Sequence, residues 1–139
     1  RSSPPAYSVS PLVLTCAPGE LHEGSLLILA VLLRRLRWNV IYLGQSMPLA
    51  DLAPFVDEVK PSVLVFVAMT EPPARALTEW FHWLPKVAES GTPIVAFGRR
   101  AFNEYPRLAQ QVPGVLLGGT LREGVAMLDR LLHKLNPLL

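Results

Sequence analysis

A histidine at position 22 stands two residues after Glu20 and directly before Glu23, inside the stretch CAPGELHEGSLL that runs from Cys16 to Leu27. Residues two apart in an extended loop point the same way, so the Glu20 carboxylate can accept the ring N–H of His22. Such a bond fixes the tautomer and makes the other ring nitrogen a better metal donor. One histidine and one carboxylate make a poor site for a bare ion, which takes three or four protein ligands. The pair suits a metal already held in a macrocycle, where a single axial ligand is enough. The competing reading is a histidine at a helix start that makes only a local hydrogen bond, and the residues by themselves leave both open.

Other chemistry is sparse. No Cys/His cluster has zinc spacing, and the single cysteine, Cys16, closes an apolar run where a thiol usually serves as packing. Neither G-x-G-x-x-G nor the G-x-x-x-x-G-K loop of nucleotide triphosphatases occurs. In EWFHWLP, Glu79 to Pro85, the residues Leu77, Phe81, Leu84 and Ala88 follow core spacing. Trp80 and Trp83 then fall at the border of that face, where a protein contact is one use for them.

The elements that must position these residues alternate along the chain. Leu12 to Cys16, Asn39 to Leu43, Ser62 to Ala68, Pro93 to Phe97 and Val115 to Leu117 read as strands, with SVLVFVA the clearest. Continuous aliphatic runs of this kind belong to strands covered on both faces. Helical patterns lie between them at Leu21 to Leu36, Leu49 to Val59, Ala74 to Glu89, Asn103 to Gln110 and Thr120 to Leu135. Strict βα alternation with right-handed crossovers predicts an α/β flavodoxin-like, or Rossmann-like, doubly wound parallel sheet of five strands in the order 2-1-3-4-5. Ligands of such sheets sit outside the carboxyl ends of the strands. The loops Ala17 to Gly24, Gly44 to Pro48, Met69 to Pro73, Gly98 to Phe102 and Gly118 to Thr120 therefore carry the function. A phosphate-accepting receiver needs clustered acids after the first and third strands, and Cys16 to Gly19 and Met69-Thr70 stand there instead.

The composition agrees with one domain. The 139 residues are 50% hydrophobic with a net charge of +2, too mild and too scattered to predict nucleic-acid binding by this segment. The longest apolar run, Leu26 to Leu33, is far short of the ~20 residues that span a bilayer. One cysteine suits a reducing, cytoplasmic setting. Residues 1–11 are rich in Ser and Pro like a linker, residues 12–139 form the domain, and an Arg at position 1 suggests a piece of something longer.

With these elements placed, GELHEGSLLILAVLLRRLRWNVIYLGQSMPLADL resembles the cobalamin-binding domain of MerR-type transcriptional regulators that use adenosylcobalamin to sense light. The likeness extends in register from Leu12 to Leu135 and includes TEPPARAL and LGGTLREGV. Members of that family carry an acidic residue, a histidine two places later and a glycine three places after that, then Ser-x-Leu at the third strand and Gly-Gly after the fourth. The resemblance implies that His22 is the lower axial cobalt ligand and Glu20 its orienting partner, with Leu21, Glu23, Gly24 and Ser25 beside them. It also implies a nucleotide tail slotted past Gly44, Val67, Met69, Thr70, Phe97, Gly98, Gly118 and Gly119. Three departures stand out: Ser25 replaces the motif glycine, Val67 the serine, and Phe97-Gly98 the glycine pair. Arg99 and Arg100 follow, where a guanidinium meets a phosphate or a corrin amide, or is simply solvated.

The expected function is thus a non-enzymatic sensory module that binds cobalamin, adenosylcobalamin above other corrinoids. An upstream helical bundle and a DNA-binding domain would be its partners, together with further copies of the chain in a homo-oligomer. The alternatives are a corrinoid carrier or isomerase subunit, and a degenerate module that binds no ligand.

Overall fold

The computed structural model describes residues 10–45 and 47–137. The Pro/Ser-rich stretch expected as a linker lies outside the described residues up to residue 9. The chain is already docked where the description begins, since the Ser62 N–H donates to the Pro11 carbonyl at 3.0 Å.

Five parallel strands form one sheet in the order β2-β1-β3-β4-β5: β1 Leu12–Cys16, β2 Val40–Gly44, β3 Val63–Val67, β4 Ile94–Gly98 and β5 Val115–Leu116. The central strands LVLTC and VLVFV are buried along their whole length. Alternate side chains of each strand feed two cores, so a continuous apolar run is what both faces require. On one face Leu14, Val65, Val67 and Ala96 pack under α1 (Gly24–Arg35) and α8 (Leu121–Leu135). On the other, Val13, Leu64, Phe66, Val95 and Phe97 pack under α2 (Leu49–Val59) and five short helices. These are α3 Glu71–Leu77, α4 Trp80–Trp83, α5 Pro85–Ser90, α6 Arg100–Glu104 and α7 Pro106–Gln111. None of the helices among the described residues is long and apolar enough to cross a membrane.

The order 2-1-3-4-5 is the expected one, and β1 and α2 have the expected bounds. Three expectations about helices are corrected. The single helix expected over Ala74 to Glu89 is three, starting earlier at Glu71 because Pro72 and Pro73 fit a first helical turn, whose N–H groups need no partner. Pro85 then forces Leu84 out of the helical region, to φ −127° and ψ 62°. The interruptions at residues 78–79 and at Leu84 change the phase, so Trp80 and Val87 are buried while Phe81 and Ala88 face outward. Trp80 is held there by its indole N–H, which donates to the Pro113 carbonyl at 2.7 Å. Pro106 splits the fourth helix at Tyr105 in the same way. Finally, α1 begins at Gly24 and not at Leu21, because Leu21, His22 and Glu23 are kept in a loop by Glu20.

Candidate functional site

The loop after β1 folds tightly back on the sheet edge. The Ala17 N–H donates to the Val67 carbonyl at 2.9 Å, and the Glu20 N–H donates to the Ala17 carbonyl at 2.9 Å. Gly19 sits between them at φ +84°, in the left-handed region that glycine enters without strain. This turn swings Glu20 inward until the residue is only 2% exposed.

A buried carboxylate is costly unless it is hydrogen-bonded, and Glu20 is bonded at both oxygens. Its Oε1 accepts the Met69 N–H at 2.6 Å, the Thr70 N–H at 3.2 Å and the Thr70 hydroxyl at 3.5 Å. Its Oε2 accepts the His22 N–H at 3.0 Å and lies 2.7 Å from His22 Nδ1. Burial pushes the carboxyl pKa up, but these backbone and side-chain donors outweigh it and leave the group below its ordinary value. The His22 side chain is 70% exposed. In the neutral ring, Nδ1 engaged by an ionised carboxylate carries the proton, which leaves the lone pair on Nε2. Ser25, in the first turn of α1, donates its hydroxyl to Met69 Sδ at 3.6 Å. Glu20, His22, Ser25, Met69 and Thr70 are therefore one cluster.

A second group adjoins it. The Tyr42 hydroxyl donates to the Glu23 carboxylate. Burial and the Glu23 charge raise the Tyr42 pKa. A Cβ at Gly44, itself at φ +62°, would collide with that carboxylate. Between the β1 and β2 loops lies a cavity of 280 Å³ bordered by Cys16, Gly19, Glu20, Leu21, Gly44 and Met47. Burial, followed by the charges of Glu23 and Glu20, pushes the Cys16 thiol up to about 12, so it stays protonated and unreactive. Among the described residues no three His, Cys, Asp or Glu side chains group as ligands for a bare metal ion.

The ends of β3, β4 and β5 complete the edge. Val67 is buried on the α1/α8 face. Leu117 fills the space between β4 and α8, since a Cβ on Gly98 would stand 3.2 Å from the Leu117 Cβ and one on Gly124 would stand 3.8 Å away. Gly118, at φ +43°, leaves room for Glu123, whose N–H is capped by Thr120 Oγ1 at 3.1 Å. The Gly119 carbonyl accepts Asn103 Nδ2 at 3.0 Å.

Phe97 is 1% exposed, stacks edge-on against Phe102 at 4.9 Å, and points into the core on the face opposite Val67. The residue with a glycine's backbone is Arg99, at φ +92° and ψ −168°. That region is essentially reserved for glycine and costs another residue about 1–3 kcal/mol.

Solved structures with this architecture define the class. A cobalamin-binding protein from Desulfitobacterium hafniense superposes with a TM-score of 0.75 at 19% identity, over 88% of this chain and 59% of that one. The methanol:cobalamin methyltransferase complex MtaBC of Methanosarcina barkeri gives 0.68 at 23% identity, over 91% and 48%. The monomethylamine corrinoid protein of the same organism gives 0.72 at 13%, over 88% and 58%. The chain has the fold of a cobalamin-binding domain. Among curated proteins it is similar to the HTH-type transcriptional repressor CarA of Myxococcus xanthus, with 38% identity over 90 residues that cover 65% of this chain and 30% of the relative. The chain thus spans under a third of that relative and about half of each solved neighbour. No protein-family model matches the sequence.

Proposed function

We propose that this chain is the cobalamin-binding module of a transcriptional regulator, with His22 as the lower axial ligand of the cobalt. The observation that carries the reading is the Glu20–His22 pair: a buried, ionised carboxylate 2.7 Å from Nδ1 of a ring whose other face is open to solvent. That is the donor set a macrocycle-bound metal needs, one oriented nitrogen and no further protein ligand. A cavity of 280 Å³ is at the lower limit for small-molecule pockets. A corrinoid would therefore lie across the strand ends with only part of itself inserted. Adenosylcobalamin, when bound, would supply a light-sensitive cobalt–carbon bond. His22 would hold the metal, Glu20 would keep the ring in its tautomer, and the Met69–Thr70 backbone would feel any movement of Glu20. A regulator built this way converts ligand or light state into oligomerisation and DNA binding by its remaining domains, in the cytoplasm and without catalysing a reaction itself.

Two observations favour other readings. The Methanosarcina neighbours favour a corrinoid carrier. Leu117, packed between Gly98 and Gly124, favours a module that has lost its ligand. One experiment separates them. The protein is mixed with hydroxocobalamin or adenosylcobalamin, desalted by gel filtration, and its visible spectrum recorded beside that of His22→Ala. Colour should travel with the native protein and be lost or markedly weakened in the variant. Colourless native protein would sink the cobalamin reading, and equal colour in both would remove His22 as the ligand.

A further inference from the structure

Arg99 combines three features that a solvated surface arginine has no need of. Its backbone lies at φ +92° and ψ −168°, held by the Phe102 N–H donating to its carbonyl at 3.1 Å and by neighbouring bonds from Ala68 to Gly98 and from Ala101 to Ala68 at 3.1 and 3.2 Å. Its Nε is buried without a hydrogen-bond partner, and among the described residues it is the one such side-chain atom. No carboxylate among the described residues lies within ion-pairing distance of it, whereas Arg100 next door pairs with Glu104 at 3.6 Å. Burial, and then the Arg100 charge, lower the pKa of its guanidinium. Strain and an orphaned donor at the carboxyl end of β4, beside Gly98 on the ligand edge of the sheet, are the marks of a binding residue waiting for its anion.

We infer that Arg99 is a phosphate-binding residue, its guanidinium supplying the donors for a phosphate group seated at the end of β4. Arginine presents its donors in a planar fork that matches phosphate oxygens. The phosphate has two possible sources, the phosphodiester of a cobalamin nucleotide tail or a free phosphate. The first rests on the function proposed above and the second does not.

The test compares the native protein with Arg99→Met, which keeps the stem and removes the charge, and with Arg99→Gly, which also frees the backbone. Each is titrated with hydroxocobalamin and with cobinamide, the same ring system without the nucleotide tail and its phosphate. Thermal midpoints are recorded in parallel with and without inorganic phosphate, at an ionic strength matched with chloride. Losing a charge-assisted contact should weaken hydroxocobalamin binding about tenfold or more, while cobinamide binds all three proteins alike. If neither corrinoid binds any of them, the cobalamin reading fails and the phosphate arm decides. A midpoint that rises with phosphate in the native protein and not in the variants supports a free-phosphate site. Equal hydroxocobalamin affinity in native protein and variants, or none in any, together with midpoints indifferent to phosphate, overturns the inference. Arg99→Gly keeps the comparison usable should Arg99→Met fail to fold.

Discussion

Glu20 performs a structural and an orienting task with one carboxylate, and its removal should be felt in both. Glu20→Ala strips the acceptor from the Met69 and Thr70 amides. Leaving such buried donors unpaired costs about 1–3 kcal/mol, measurable as a lowered urea midpoint. The pH dependence follows from the sign of its shift. The folded carboxyl titrates below its ordinary value, so its contribution is fully present above the ordinary carboxylate range and fades as pH falls through the lowered folded pKa. Urea midpoints taken from neutral pH down to pH ~3 should therefore drop further for the native protein than for Glu20→Gln, which has no carboxylate to protonate at this position. A parallel decline in both would show that Glu20 is not the group responsible. The pairing of Glu20 with His22 was legible from a spacing of two residues. The reach of Glu20 to Met69 and Thr70, 49 and 50 residues away, was not, because only the tertiary fold brings those amides to it. The same holds for Arg99, whose backbone conformation is imposed by bonds to its spatial neighbours and leaves no pattern in the chain.

At the scale of elements, the strands were readable because both faces of the sheet are covered, which leaves runs such as VLVFV with no polar interruption. Helix interiors were readable for α1, α2 and α8, where apolar spacing runs unbroken. The region between β3 and β5 was not, since Pro85 and Pro106 sit inside stretches whose periodicity continues across them, and the clash with the residue before each proline breaks the helix. Among these elements α1 has the closest bearing on the site, because its first turn carries Ser25 and its entry fixes His22. Leu33, wholly buried between α1 and the sheet, anchors its far end. Leu33→Ala should cost about 2–5 kcal/mol by transfer and cavity terms. Chemical denaturation would register that loss, and a change under 1 kcal/mol would mean that α1 is not held by this face.

For the whole molecule, the two cores divide the labour. One closes over α1 and α8 next to the histidine loop, and the other stacks six helices against the far face. The matched region of the curated relative is less than a third of its length. Under the function proposed above, a signal would leave the loop at His22 through the groups bonded to its carboxylate partner. The Met69 and Thr70 amides are natural indicators of it: they sit on the same carboxylate as His22 and belong to the segment that leads from β3 into α3. Their nitrogen and proton resonances should move when a corrinoid is added, in step with the titration, and stay put in His22→Ala. Two stationary amides in the native protein would mean that the histidine's carboxylate is an insulator and not a relay.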